Sequence, residues 1–213
     1  MRFRVVEIFQ SIEGEGSLIG FPVLFIRLEG CNLRCPWCDT TYSYDGKSYK
    51  DYPLDELLNI VKNSNLKRVC LTGGEPLLTP NVEILIEKIL SIKDFLIIET
   101  NGTVFNKRLK ATFEKFKNKI YTVVSPKPEV NYKIHQDIFP FISEIKFVVD
   151  EFLTINDILK YSNLYKNLFL ILQPESNKEI YLKKALQLQN ELLTSHNLEA
   201  RLIPQCHKLL NLK

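Results

Sequence analysis

Short apolar segments alternating with amphipathic helical periods constrain the fold of this chain most tightly. From residue 68 onward, strand-like runs at 68–71, 95–99, 121–124, 145–149, 168–172 and 199–203 are separated by helical periods at 80–92, 106–116, 154–165 and 177–195. The helix at 80–92 places Val82, Leu85, Ile86, Ile89 and Leu90 on one face, with Thr79 as its cap. An earlier helix beginning at Pro53 does the same with Leu54, Leu57, Leu58 and Val61. Strands joined through helices run parallel, with right-handed crossovers. Most strand ends carry polar, Gly or Pro motifs: Thr72–Pro76, Thr100–Gly102, Ser125–Lys127 and Gln173–Ser176. Barrels and open α/β sheets place their sites at that end of the strands. There are too few βα units for a closed eightfold barrel. The expectation is an α/β fold, an incomplete (β/α) barrel of mostly parallel strands, forming a single domain over residues 1–213.

The segment CNLRCPWCD holds Cys31, Cys35 and Cys38 beside the chain's one tryptophan, Trp37. Three thiolates so spaced can each take one iron of a [4Fe–4S] cluster. One iron is then left without a protein ligand, because no fourth Cys or His lies near; that iron is open to a small chelating molecule. Electron carriers of the ferredoxin type and structural zinc sites close all four positions instead. Zinc is the main alternative reading, and disulfides between such close neighbours would be strained.

Upstream, strands at 3–9 and 23–29 bracket the connection SIEGEGSLIGFP. Glu13 and Glu15 could accept hydrogen bonds from an amino-substituted heterocycle, or form a solvated acidic loop. Arg27 stands in FIRLEGC where an apolar residue is expected, so it either grips a carboxylate or faces outward from the strand. Thr40 could give one hard oxygen ligand to Mg²⁺, or serve in a turn. Gly73 and Gly74 allow backbone to approach a ligand beyond the strand end. Cys70 reads as a small buried hydrophobe. The tyrosine-rich stretch 41–52 reads as an irregular surface excursion near the site.

Composition narrows the partners. Of 213 residues 45% are hydrophobic and 25% charged, which is ordinary for a globular domain. Lys+Arg number 28 against 25 Asp+Glu, giving +3, and the lysine-rich stretch 107–119 has helical period. No basic run of the kind that binds nucleic acid is present. Apolar runs are strand-length rather than membrane-spanning, and MRFRVVEIFQ is no signal peptide. Five cysteines, an odd count, suit a reducing cytoplasm.

The CxxxCxxC spacing with an aromatic before the third Cys, followed by Gly73–Pro76 (GGEP), resembles the radical S-adenosylmethionine (SAM) superfamily. Adding SIEGEG, Arg27, RLEGCNLRCPWCDT, SPK and QPES, the chain from about Val5 to His207 resembles the 7-carboxy-7-deazaguanine synthase family of queuosine and deazapurine biosynthesis. The resemblance implies a radical SAM type of incomplete barrel with [4Fe–4S], SAM and Mg²⁺ as cofactors. It also implies a reaction: a 5′-deoxyadenosyl radical takes hydrogen from 6-carboxy-5,6,7,8-tetrahydropterin, the ring contracts to 7-carboxy-7-deazaguanine, ammonia leaves, and SAM is regenerated. Carried over by position, Cys31, Cys35 and Cys38 would hold the cluster and Thr40 would touch Mg²⁺. Trp37, Cys38, Asp39, Gly74, Glu75, Ser125, Pro126, Lys127, Gln173, Pro174, Glu175 and Ser176 would bind SAM. Ile12, Glu13, Gly14, Glu15, Arg27, Thr72 and His207 would bind substrate. Many members of that family carry Gln where this chain has Glu13. An external one-electron reductant such as flavodoxin or ferredoxin and a homodimeric state are also implied, with no nucleic-acid or membrane partner. A glycyl-radical-enzyme activase would share the cluster and GGEP, but the Gly/Glu-rich loop and Arg27 favour a small acidic heterocycle.

Overall fold

The computed structural model describes residues 1–166 and 168–212. Among the described residues, nine strands form one sheet: β1 (Arg2–Ile12), β2 (Pro22–Leu28), β3 (Lys50–Pro53), β4 (Arg68–Gly73), β5 (Phe95–Thr100), β6 (Ile120–Val124), β7 (Ile142–Val149), β8 (Phe169–Pro174) and β9 (Arg201–Leu202). Their order is β3-β1-β2-β4-β5-β6-β7-β8-β9. From β2 to β9 every neighbouring pair is parallel, while β1 runs antiparallel to both β2 and β3. The sheet is open, with β3 and β9 as its edges. The helices are α1 (Leu54–Asn63), α2 (Val82–Leu90), α3 (Lys107–Lys115), α4 (Ile155–Leu159), α5 (Glu179–His196) and the short α6 (Cys206–Leu209). None is long and apolar enough to cross a membrane, among the described residues.

Alternation along the strands decides which side chains reach the site. Leu24, Ile26 and Leu28 of β2, Val69 and Leu71 of β4, Leu96 and Ile98 of β5, and Ile145, Phe147 and Val149 of β7 pack with the helices in the main core. The intervening residues Val23, Phe25, Cys70, Ile97 and Val123 form a second, smaller cluster with Phe9 and Tyr121. Continuing toward the strands' C-terminal ends, that second series changes from apolar to polar. It becomes Arg27 beside Thr72, Glu99 beside Val123, and Val148 beside Gln173.

Several local expectations shift. Strand β3 falls within the stretch expected to be irregular. Its sequence KDYP has no apolar alternation, because it is a half-exposed edge strand whose charges suit an edge. Helix α2 starts at Val82 rather than at Pro80: a 3-10 turn over Pro76–Leu78 intervenes, and Asn81, at φ 61°, precedes the helix. Helix α4 stops at Leu159 instead of reaching residue 165, although Thr154 and Asp157 make a full capping box at its start. Asn106 caps α3, accepting from the backbone N–H groups of Arg108 and Leu109.

Candidate active site

The polar series of the inner face opens into a cavity of ≈ 460 Å³ lined by the ends of β2, β4, β5, β6, β7 and β8. Cys31, Cys35, Trp37, Cys38, Asp39 and Thr40 come to it from the loop after β2, Ile12 from the end of β1, and Glu13, Gly14 and Glu15 from the loop that follows. Thr72, Gly74, Ser125, Lys127, Gln173, Glu175 and Ser176 line it from later strand ends, with Arg27 from within β2 and His207 from α6.

The cysteine loop is fastened at three points. Gly30 accepts from the Glu75 N–H at 2.7 Å, and its own N–H donates to the Ser43 carbonyl at 2.7 Å. Trp37 Nε1 donates to Asp150 Oδ2 at 2.7 Å, tying the loop to the end of β7. The Lys127 ammonium lies 4.9 Å from the centre of the Trp37 ring and donates to Ser125 Oγ at 2.8 Å. All five cysteines are free thiols. Burial raises Cys31 and lifts Cys35 to about 12, with Glu129, 3.3 Å from Cys35 Sγ, adding to the latter shift. Such thiols ionise when metal replaces the proton.

Beneath the loop after β1, the four carboxylates of Glu13, Glu15, Glu99 and Glu144 gather around Lys146. Lys146 of β7 pairs with Glu15 and lies 3.6 Å from Glu99. Burial opposes the charge on Glu15, but Lys146 and the Gln205 amide more than offset this and hold it well below the usual carboxylate range. Burial likewise opposes the charge on Lys146, and Glu15 and Glu99 override it upward. Glu144, fully buried, accepts from the Ser17 N–H at 2.9 Å and the Tyr121 hydroxyl at 3.1 Å. Gly16 lets the loop cross here: its φ is +62° and any Cβ would strike Glu144 Oε1.

The C-terminal segment closes the cavity. Gln205 Nε2 donates to Glu15 Oε1 at 2.7 Å, while Gln205 Oε1 accepts from the Ser176 N–H at 3.1 Å. The Cys206 N–H donates to the Gly14 carbonyl at 2.8 Å. His207 Nδ1 stands 3.8 Å from Glu15 Oε1, and Lys208 Nζ 3.4 Å from Asp39 Oδ2. Across the cavity, Arg27 Nε donates to Glu7 Oε1 at 2.8 Å, an oxygen that also accepts from the Tyr42 hydroxyl at 3.0 Å.

Three residues expected to bind SAM do not line the cavity: Glu75, Pro126 and Pro174. Glu75 is wholly buried behind it. Its Oε1 accepts from the Leu77 N–H and the Thr100 hydroxyl, and its Oε2 from the Asn101 N–H at 2.6 Å, so it ties β4 to β5. Burial pushes Glu75 up to about 7 despite these three donors. The prolines shape turns between lining neighbours. Sequence reasoning passed over Glu99 and Lys146, although each is a charge set in an apolar strand, FLIIET and IKFVV, the same signal that picked out Arg27. It also missed Gln205 and Asp150, whose roles depend on contacts with distant elements.

Residues 25–140 match the family model described as the Radical SAM superfamily, a span that contains the three loop cysteines and the Gly73–Pro76 turn, and the chain belongs to that superfamily. The 7-carboxy-7-deazaguanine synthase of Aquifex aeolicus is 40% identical over 212 residues, covering 97% of this chain and 93% of the relative. The enzyme of the same name from Thermoplasma acidophilum is 31% identical, covering 97% and 96%. Within the superfamily, the chain is a member of the 7-carboxy-7-deazaguanine synthase family. The crystal structure of QueE from Escherichia coli shares the fold, with a TM-score of 0.74 at 24% identity over 97% of this chain and 95% of that one.

Membership implies a [4Fe–4S] cluster and SAM, and the residues present fit both. Three free thiols stand around one cavity. Gly74 is packed so closely that a Cβ would lie 2.7 Å from Cys31 Cβ, so a side chain there would displace the loop. Gln173, 2% exposed and lining the cavity, has an Oε1 without a hydrogen-bond partner among the described residues, a waiting acceptor for a polar ligand.

Proposed function

We propose that this chain, acting as one domain, converts 6-carboxy-5,6,7,8-tetrahydropterin to 7-carboxy-7-deazaguanine and ammonia. The observation that carries the reading is that one cavity combines two unlike surfaces. A cysteine loop suited to a cluster faces Gly74, Ser125 and Gln173, and beside it Arg27, Glu13, Glu15 and His207 form a second surface suited to an acidic, amino-substituted heterocycle. When bound, the cluster and SAM would supply the radical that takes hydrogen from the substrate and later returns it.

The protein's share is placement. Arg27, steadied through Nε by Glu7, is suited to take the substrate carboxylate. Glu15, kept ionised by Lys146, is suited to accept from ring N–H groups. Gln173 and Ser176 would hold SAM against the open iron, with Lys127 and Trp37 beside it. Thr40, whose Oγ1 lies 3.7 Å from Cys38 Sγ, would give one oxygen to Mg²⁺. Closure by Gln205 and His207 keeps competing hydrogen donors away from the reacting carbon. An external reductant such as flavodoxin or ferredoxin would supply the electron, and a homodimer is the proposed working form, with the product entering queuosine or a related deazapurine pathway.

Anaerobically reconstituted protein, given reductant, SAM, Mg²⁺ and the carboxytetrahydropterin, is expected to form the deazaguanine chromophore over many turnovers without net loss of SAM. Absence of the chromophore from protein carrying iron and sulfide would overturn the assignment. One zinc per chain and no sulfide would overturn the whole radical reading.

A further inference from the structure

We propose that Glu13 meets the bound heterocycle as a neutral carboxylic acid, donating a hydrogen bond through Oε2–H to an acceptor atom on the ring. This rests on the reading that a pterin-like heterocycle occupies the cavity.

The two oxygens of Glu13 have different surroundings. Oε1 accepts from the backbone N–H of Gly14 at 3.1 Å and of Glu15 at 3.3 Å. Oε2 is buried and has no hydrogen-bond partner among the described residues. The residue lines the cavity yet is only 5% exposed. An ionised carboxylate would thus keep one charged oxygen out of water and unpaired, the state that burial penalises most.

Its neighbours do not supply the missing positive charge. From its own loop comes Glu15; from β5, Glu99; from β7, Glu144 and Lys146; from β4, Cys70; from β6, Tyr121. Lys146 is engaged by Glu15 and lies within reach of Glu99. Arg27 of β2 is paired with Glu7, and His207 of α6 faces Glu15. On the side away from the main cavity, the space enclosed by Glu13, Glu15, Glu99, Glu144 and Lys146 has no room for a water molecule, and hence none for a hydrated cation. A proton is the neutraliser that fits. Burial, then the charge of Glu99, moves the Glu13 carboxyl well above its ordinary range, with Lys146 opposing.

A protonated Glu13 turns the partnerless Oε2 into a donor and makes the loop two-handed. Glu15, ionised, accepts from ring N–H groups, whereas Glu13 gives to a ring oxygen or an unprotonated ring nitrogen. Two adjacent carboxylates would select only donors. One acid and one carboxylate select an edge carrying both.

Infrared difference spectroscopy of the holoenzyme at neutral pH, wild type against Glu13→Gln, reads the protonation state directly. Loss of a carboxylic-acid C=O band is the expected result; loss of a carboxylate pair of bands overturns the proposal. Anaerobic calorimetry with the oxidised holoenzyme and the carboxytetrahydropterin reads the donor. Glu13→Gln, whose amide also donates, should bind within about threefold of wild type, while Glu13→Leu should weaken binding on the order of tenfold. Equal losses in the two variants would refute the donor role. If wild type shows the acid band yet neither binds nor converts this pterin, the substrate reading fails and the protonation of Glu13 stands. If wild type turns over and the acid band is absent, the reverse holds.

Discussion

Replacing Gly74 with Ala should unseat the cluster more than it unfolds the protein. The added Cβ would lie 2.7 Å from Cys31 Cβ and closer still to the Gly30 carbonyl oxygen. Carbon atoms rest about 3.5–4.0 Å apart, so the Gly30–Cys31 segment must retreat by about 1 Å. Both contacts are backbone or the first side-chain atom, so no flexible end can swing away. The retreat also stretches the 2.7 Å hydrogen bond from the Glu75 N–H to the Gly30 carbonyl. Overpacking of this kind costs about 1–3 kcal/mol. The larger consequence is for Cys31, which would move relative to Cys35 and Cys38, and a misplacement of ~1 Å can lower turnover about 100-fold. The assay is iron and sulfide per chain after anaerobic reconstitution, alongside urea denaturation of the cluster-free protein. Gly46→Ala is the control: at φ +71° it carries a backbone cost of about 1–2 kcal/mol, but nothing lies within 4 Å of its Cβ. Wild-type iron content and turnover in Gly74→Ala, or an equal loss in Gly46→Ala, would refute the reasoning.

Three further outcomes are expected. Glu75 has its carboxyl raised from 4.5 to about 7, so its contribution is intact below about pH 4.5 and lost as pH rises through 7. Over that window the cluster-free wild type should lose roughly 3 kcal/mol relative to a Glu75→Gln variant with the same other groups, read from urea midpoints at each pH. Lys146→Met should destabilise the chain by about 3–5 kcal/mol, because Glu15, Glu99 and Glu144 would share a buried site with no cation at their centre; a loss below 1 kcal/mol in the same assay would contradict this. Asp150→Asn replaces the acceptor of the Trp37 N–H with an amide that still serves the Phe152 and Leu153 N–H groups. Since Trp37 is the chain's one tryptophan, acrylamide quenching of its fluorescence should increase, and unchanged quenching would show that the tie does not hold the loop.

What was legible in the sequence follows from which interactions are local. The parallel β-α alternation, the cysteine loop and the strand-end motifs are all written in short spacings, and they come together around one cavity. Arg27 was visible as a charge inside an apolar strand, although only the sheet shows that the face away from the helices is the inside of the cavity. The same logic applied to Glu99 and Lys146 would have exposed the buried acid cluster. Glu75 misled for the opposite reason. It sits between Gly74, which lines the cavity, and a proline, and its burial depends on Thr100 and Asn101 of another strand end. Strand β3 carries no apolar alternation because its partner β1 covers only one of its edges.

The site draws on residues nearly the whole length of the chain apart. Glu13 and Glu15 leave the ribosome about 190 positions ahead of Gln205, Cys206 and His207, which bind the same loop. The cysteine loop and its Gly74 rest are made long before. A nascent chain therefore presents the cysteine loop well ahead of any enclosed pocket. The order of synthesis thus completes the cysteine loop before the turn at 205–207 that closes the cavity over it.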